Sequence, residues 1–259
     1  MDISNIIKYK DLFYMISWRE IKVKYKQSFM GILWALFMPI IIISAGILVK
    51  YSMSKVAGTQ FSYNEIASVS IKAIPWSFFV SSIRFSTNSL TSNFSLVTKI
   101  KFPKIIFPLS SVFSQLIDFV IAASFMVIFL LILGYGFSAK SLFAIVLLVI
   151  LIVYTIGLSI LLSAANLFFR DVKYIVEVVL TFAIFFTPVF YEVKLFGAWD
   201  KLLLLNPISP ILECLNGCLV MDQFLYMEWV AYSAVFSFLL LLLSIKIFNK
   251  VEPMFAEYI

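Results

Sequence analysis

Residues 142–169 read LFAIVLLVILIVYTIGLSILLSAANLFF, an uncharged run of 28 positions that is apolar almost throughout. A helix needs about 20 apolar residues to cross the roughly 30 Å hydrocarbon core of a bilayer. This stretch is long enough to span by itself. Five further apolar runs lie at 31–49, 66–90, 108–133, 174–191 and 229–248. The run at 66–90 is the most polar, and 108–133 stops at the turn-forming Gly134-Tyr135-Gly136. Composition agrees. Hydrophobic residues make up 63% and charged residues 13% of the 259 positions, against about half and about a quarter in ordinary soluble chains. A water-soluble core could not hide that much apolar surface, whereas lipid solvates it. The expected fold is an all-α integral membrane protein with six transmembrane helices in one membrane domain, residues 30–259.

Two segments outside the spans carry structure of their own. Residues 1–29 are read as a surface-lying interface segment, with an amphipathic helix over 4–29. There Ile6, Ile7, Leu12, Phe13, Ile16, Ile21 and Val23 alternate with lysines, the pattern of a helix lying at a membrane surface. Between spans five and six, residues 192–228 hold apolar stretches too short to cross. Short re-entrant or outer helices are expected there, since non-helical backbone at membrane depth must be covered by protein. The net charge of +6 is concentrated in the N-terminal arm, in the loop Lys99-Ile100-Lys101-Phe102-Pro103-Lys104, at Arg170 and Lys173, and at Lys246 and Lys250. With six spans these lie on one side, and the positive-inside bias makes that side, with both termini, cytoplasmic. The lysines then act as topology signals, not as a nucleic-acid surface. The first thirty residues lack an apolar core ending in small residues, so the first span is expected to direct insertion.

The chemistry of an enzyme is missing. The chain has no histidine, the commonest general base and metal ligand. No Gly-x-x-x-x-Gly-Lys-Ser/Thr loop occurs to cradle a nucleotide. Cys214 and Cys218, one helical turn apart, make a weak metal site without histidine and are read as small apolar fillers, or as a bridge between chains. An energised process would need a partner carrying the engine.

Polar residues within spans carry the functional signal. Ser77, Ser81, Arg84, Asn88 and Thr91 recur on one helical stripe, with Ser82, Ser86, Ser89 and Asn93 beside it. In lipid such a side faces protein or water, as interhelical glue or as the wall of a hydrophilic path. Arg84 and Asp118 stand out as charges within spans and, at similar depth, are expected to pair. Aromatics make up 17% of the chain. Trp34, Phe37 and Phe79, and Phe182, Phe185, Phe186 and Tyr191 near span five, are candidates for stacking on sugar C–H faces or for span packing.

Four motifs in order resemble one family. Trp18-Arg19-Glu20-Ile21-Lys22-Val23-Lys24-Tyr25-Lys26-Gln27-Ser28 with Gly31-Ile32-Leu33-Trp34 and Pro39 resembles the approach to the first span in type-2 ABC transporter permeases that export polysaccharides. Residues Lys99 to Leu109 resemble the family's loop after span two, Asn166 to Tyr174 its loop after span four, and Asn206-Pro207 with Pro210 its outer segment. The resemblance implies a homodimeric channel that moves a lipid-linked polysaccharide (O-antigen, capsule or teichoic acid) through a bilayer. Two copies of a separate cytoplasmic ATPase would bind ATP and Mg, and this chain would hold no cofactor. It also implies a substrate path along Trp34, Phe37, Phe79, Ser81, Arg84, Asn88, Phe182, Phe185, Phe186 and Tyr191. ATPase coupling falls to Arg19, Glu20, Lys99, Lys101, Phe102, Pro103, Lys104, Arg170 and Asp171, and an outer gate to Asn206, Pro207 and Pro210. Alternatives are a permease for a small hydrophobic drug or lipid, and a membrane assembly factor that transports nothing.

Overall fold

The computed structural model describes residues 9–26, 31–58, 61–100, 102–136 and 138–255. Its longer helices are α1 (Lys10–Lys26), α2 (Trp34–Ala57), α3 (Tyr63–Thr87), α4 (Ile106–Ile132), α5 (Phe143–Phe168), α6 (Val172–Ala183), α7 (Ile208–Asn216) and α8 (Met227–Val251). Five of them, α2, α3, α4, α5 and α8, are long and apolar enough to cross a membrane.

Local chemistry sets the ends of these helices. Glu65 accepts the Ser62 backbone N–H at 3.3 Å at the start of α3, a reciprocal N-terminal cap. At the end of α4, Tyr135 N–H reaches back to the Leu130 carbonyl and Gly134 N–H to that of Leu131. Gly134 holds φ 84°, the left-handed conformation that this helix stop requires and that glycine adopts without a Cβ penalty.

The stretch expected as a sixth crossing, 174–191, departs from that expectation. Helix α6 has 12 residues, about 18 Å at 1.5 Å per residue, and residues 184–190 are turns and bends. Pro188 accounts for the stop, because it has no N–H to bond the Ile184 carbonyl four residues back and its ring crowds that carbonyl. The turns pack inward. A Cβ on Gly46 of α2 would lie 2.6 Å from the Phe190 ring, so this glycine admits the segment against α2.

Helix α3 is the central column. Of its most apolar window 78% is buried, against 17–33% in the other four long helices. It packs against α2, α4, α5, α6 and α7. Helices α5 and α8 form the closest pair, with Gly157 set against the Leu241 backbone and Ser233, Ser237 and Ser244 buried on α8. Without a water-driven force between helices in lipid, small residues that admit close approach supply the contact.

Two apolar clusters result. The larger fills the middle of the bundle around Ile71, Trp76, Leu147, Leu151 and Ile211. The second, at the basic end, joins Ile16 of α1 to Leu90, Ile105, Phe107, Leu167, Phe248 and Phe255. Within the segment 4–29 expected as an amphipathic helix, residues 10–26 are helical as α1. Residues 1–8 and 27–30, including Ile6 and Ile7, lie outside the described residues. Its inward face is Phe13, Ile16, Ser17, Glu20 and Lys24; Phe13 meets Phe113 of α4 edge-on at 5.5 Å, while Val23 is exposed.

The short helices expected between spans five and six are present, and the last of them is deeply packed. After a 3-10 segment (Val193–Trp199) and one turn (Asp200–Leu204), α7 is buried along its whole length. A π-helical turn, Gly217–Met221, leads out of it. Cys214 and Cys218 are unbridged, with Sγ atoms 3.9 Å apart. Both are buried in the main cluster, which agrees with apolar filling and leaves neither surface for a bridge between chains.

Candidate functional site: a charge-paired aromatic cleft

A cleft of about 500 Å³ lies where α1, α2, α3, α4 and α6 meet. Helix α3 presents Ser77, Ser81 and Arg84 to it, three successive positions of one polar stripe. The neighbouring stripe has another role. Ser82, Ser86 and Ser89 are buried in helix packing, and Ser86 and Ser89 donate to carbonyls one turn back. These serine bonds stay within their own helical segment, so the second stripe packs closely against neighbouring helices without bonding across to them. Trp34, Trp76, Phe78, Phe85 and Phe119 supply the aromatic wall, and Trp34 meets Phe37 edge-on at 5.3 Å.

The expected Arg84–Asp118 pair does not form. Arg84 Nε lies 2.9 Å from Glu177 on α6. Asp118 instead accepts from two side chains of α1, the Lys24 ammonium and the Tyr25 hydroxyl, and Lys24 also donates to Gln115 at 3.0 Å. Burial, and next the Asp118 carboxylate, push the Tyr25 phenol well up, so it remains a donor. Rotation and depth of the helices decide these partners. Spacing along one helix cannot show that α6 turns Glu177 toward α3 while the end of α1 lies over α4. Glu177 was legible as an acid inside the apolar run 174–191, and its position was the signal. The role of Lys24 had no comparable signal among the basic residues of the arm.

Other predicted path residues lie elsewhere. Phe79 is buried in the main cluster, 5.6 Å from Trp76 and 5.8 Å from Tyr154 between ring centroids. Asn88 donates to the Arg84 carbonyl at 3.3 Å at the end of α3. Phe182, Phe185 and Phe186 are exposed beside the cleft without lining it. Tyr191 meets Phe196 at a tilt, with ring centroids 5.0 Å apart, and donates to the Phe185 carbonyl.

At the opposite end from the basic cluster, the re-entrant segment is tied down. Asn206 donates to Thr187 Oγ1 at 3.0 Å and accepts the Ile208 N–H, starting α7. Pro207 precedes the first turn and Pro210 lies within it, where a missing N–H does no harm. Lys72 of α3, a lysine within the apolar run 66–90, is buried. It donates to the Tyr191 carbonyl at 2.6 Å and lies 3.3 Å from Glu213 of α7. Lys50 and Glu192 make a second pair at 3.6 Å.

The coupling candidates gather at the basic end. Arg19 donates to Asn93, and Ser111 donates to Glu20 at 3.2 Å. Burial pushes the Glu20 carboxyl up to about 7, with the Ser111 hydrogen bond and Arg19 opposing. Lys104 sits 4.1 Å over the Phe102 ring and its N–H bonds Glu252 at 2.7 Å, tying the loop to the C-terminal segment. Pro103 is buried, and Lys99, Arg170 and Asp171 are exposed. Lys101 lies outside the described residues. Asn166 joins the end of α3 to the start of α6, bonding the Thr87 carbonyl and the Lys173 N–H at 3.0 and 3.1 Å.

Comparison with known proteins agrees with this architecture. The chain is 27% identical to an O-antigen export system permease protein RfbA of Klebsiella pneumoniae over 249 residues, 95% of this chain and 94% of that protein. It is 27% identical to the RfbA of Myxococcus xanthus over 264 residues, covering 99% and 98%. The ABC-2 type transporter family matches residues 11–220, and the chain belongs to that family.

Proposed function

We propose that this chain is the permease subunit of an ATP-driven exporter that moves a lipid-linked polysaccharide, most closely an O-antigen, across the cytoplasmic membrane. The observation that carries the reading is the cleft. The exposed rings of Trp34 and Phe85 line one space with Ser77, Ser81, Thr181 and Gln115. Rings stack on sugar C–H faces while hydroxyls and amides bond sugar hydroxyls, each weakly. Weak, repeated contacts let a chain slide instead of parking. The names of the relatives, both O-antigen export permeases, favour the same substrate.

In this reading two copies pair so that α2, α3 and α6 of each face a shared path. The exposed aromatics Phe37, Phe182, Phe185 and Phe186 then meet the second copy or the glycan. Ile16 of α1 shares the basic-end cluster with Phe248 and Phe255 after the last crossing, which favours both ends of the chain on one side, the cytoplasmic one. Two ATPase subunits, which bind ATP and Mg, dock on α1, on the loop through Lys99, Lys101, Phe102, Pro103 and Lys104, and on the turn at Arg170 and Asp171. The segment around Asn206, Pro207 and Pro210 closes the outer end. This chain transports and leaves hydrolysis to its partner. Gene deletion tests the proposal. Lipid-linked polymer accumulating inside the cell while surface glycan disappears, with recovery on complementation, is expected. Unchanged surface glycan overturns it.

A further inference from the structure

Both carboxylate oxygens of Asp118 are held by one element. Oδ2 accepts from Lys24 and Oδ1 from Tyr25, consecutive residues at the end of α1. Lys24 reaches two walls at once. It bonds Gln115 beside Asp118 on α4, and its ammonium lies 5.4 Å from the centroid of Phe85 on α3. Lys24, Phe85, Gln115 and Asp118 line the cleft, and Tyr25 holds Asp118 from outside it. The other polar ties of α1, Arg19 to Asn93 and Glu20 to Ser111, do not line it. The Arg84–Glu177 pair joins α3 to α6 without touching α1.

We infer that Asp118 is the positioning residue through which α1 opens the cleft, with Lys24 and Tyr25 as the donors that hold it closed. The inference rests on the reading of α1 as an ATPase docking element. Hydrogen bonds lapse once donor and acceptor move beyond about 3.5 Å, whereas the apolar contacts of Phe13 and Ile16 tolerate small slides. A shift of an ångström or two at α1 therefore releases Asp118 while leaving the helix seated. The Lys24 and Asp118 side chains are 24% and 16% exposed, so water can take over the freed groups, which makes the contact reversible. Opening separates α1 from α4 at the mouth and leaves the Arg84–Glu177 wall in place.

The test uses the permease–ATPase complex in lipid nanodiscs with Ser81→Cys in the cleft wall. It reads the rate of modification by a water-soluble maleimide, and the chain with Ser81 retained gives the background from Cys214 and Cys218. With Lys24, Tyr25 and Asp118 intact, ATP is expected to raise the rate about fivefold, the shift that one net hydrogen bond supplies. Asp118→Asn and Lys24→Met should each show the raised rate without ATP, with no further response to it. Tyr25→Phe, which removes one hydroxyl and keeps the ring, should fall between. Exchanging the charges, Lys24→Asp with Asp118→Lys, should restore the response. An ATP-independent rate in the intact protein, or an unchanged ATP-free rate in both Asp118→Asn and Tyr25→Phe, overturns the inference and leaves the contact as simple anchoring. If Asp118→Asn does not assemble, Tyr25→Phe decides. The readout needs no glycan, so it fails independently of polysaccharide export.

Discussion

Breaking the buried Lys72–Glu213 pair from one side should be far more damaging than removing it whole. Lys72 and Glu213 side chains are 0% and 2% exposed, and their charged atoms are 3.3 Å apart. At that distance and an effective dielectric of about 20, the attraction is about 5 kcal/mol. Desolvation of both groups consumes most of it, so the pair adds little net stability. Removing one partner abandons the other charge in a dry site, at a cost of about 3–5 kcal/mol. Lys72→Met and Glu213→Gln should each destabilise the protein by that order, lowering the thermal midpoint in detergent by roughly 8–15 °C for a chain of this size. The double change Lys72→Met with Glu213→Met should recover most of the loss. The remaining deficit is about 1 kcal/mol for the Tyr191 carbonyl, which loses its Lys72 donor. The assay is the fraction of monodisperse protein after heating, measured for all four proteins as a double-mutant cycle. Single substitutions within about 2 °C of the parent, or a double whose loss is the sum of the singles, would refute the reasoning, because additivity marks sites that do not interact.

Four further outcomes follow from particular contacts. Glu20, pushed up to about 7 by burial, binds a proton more tightly folded than unfolded. Its contribution is therefore present below the ordinary carboxylate range and is lost as pH rises through about 7; Glu20→Gln should flatten stability between pH 5 and 8, gaining about 1–2 kcal/mol at pH 8 after discounting for partial exposure. Gly157→Ala places a methyl about 3.0 Å from the Leu241 backbone and should cost about 1–3 kcal/mol by parting α5 and α8, seen as a lower melting point. Arg84→Gln should be non-additive with Glu177→Gln by up to about 1 kcal/mol, as expected of a partly exposed pair, and additive with Asp118→Asn. Phe102→Asp combined with Lys101→Glu should abolish co-purification of the ATPase; retained association and export would remove the loop from the docking surface.

Much of the architecture is legible from one dimension. Crossing the bilayer demands long apolar runs, so α2, α3, α4, α5 and α8 announce themselves. Gly134 marks the end of α4, and the two polar stripes of α3 follow from helical spacing because the side chains of one helix keep a fixed angular relation. The lack of a nucleotide loop is likewise readable in the chain itself. The limits are equally physical. Residues 174–191 are apolar enough to span, yet Pro188 ends α6 and the following turns fold back on Gly46, a packing choice that hydropathy does not register.

Partner choice belongs to the tertiary structure alone. Arg84 and Asp118 match in charge and approximate depth, but pairing depends on how each helix is rotated, and α6 and α1 supply nearer partners in Glu177 and Lys24. Lys72 reads as a lysine within the apolar run 66–90 until α7 is folded against α3 and buries it with Glu213. The same holds for the aromatics. Trp34 and Trp76 line the cleft, Phe79 is core, and Phe185 and Phe186 face outward, although all five are rings within apolar runs. Sequence determines that this chain enters a membrane as helices and which residues are polar within them. Only the packing of those helices, through rotation and relative depth, decides which polar groups satisfy one another and which faces enclose the cleft.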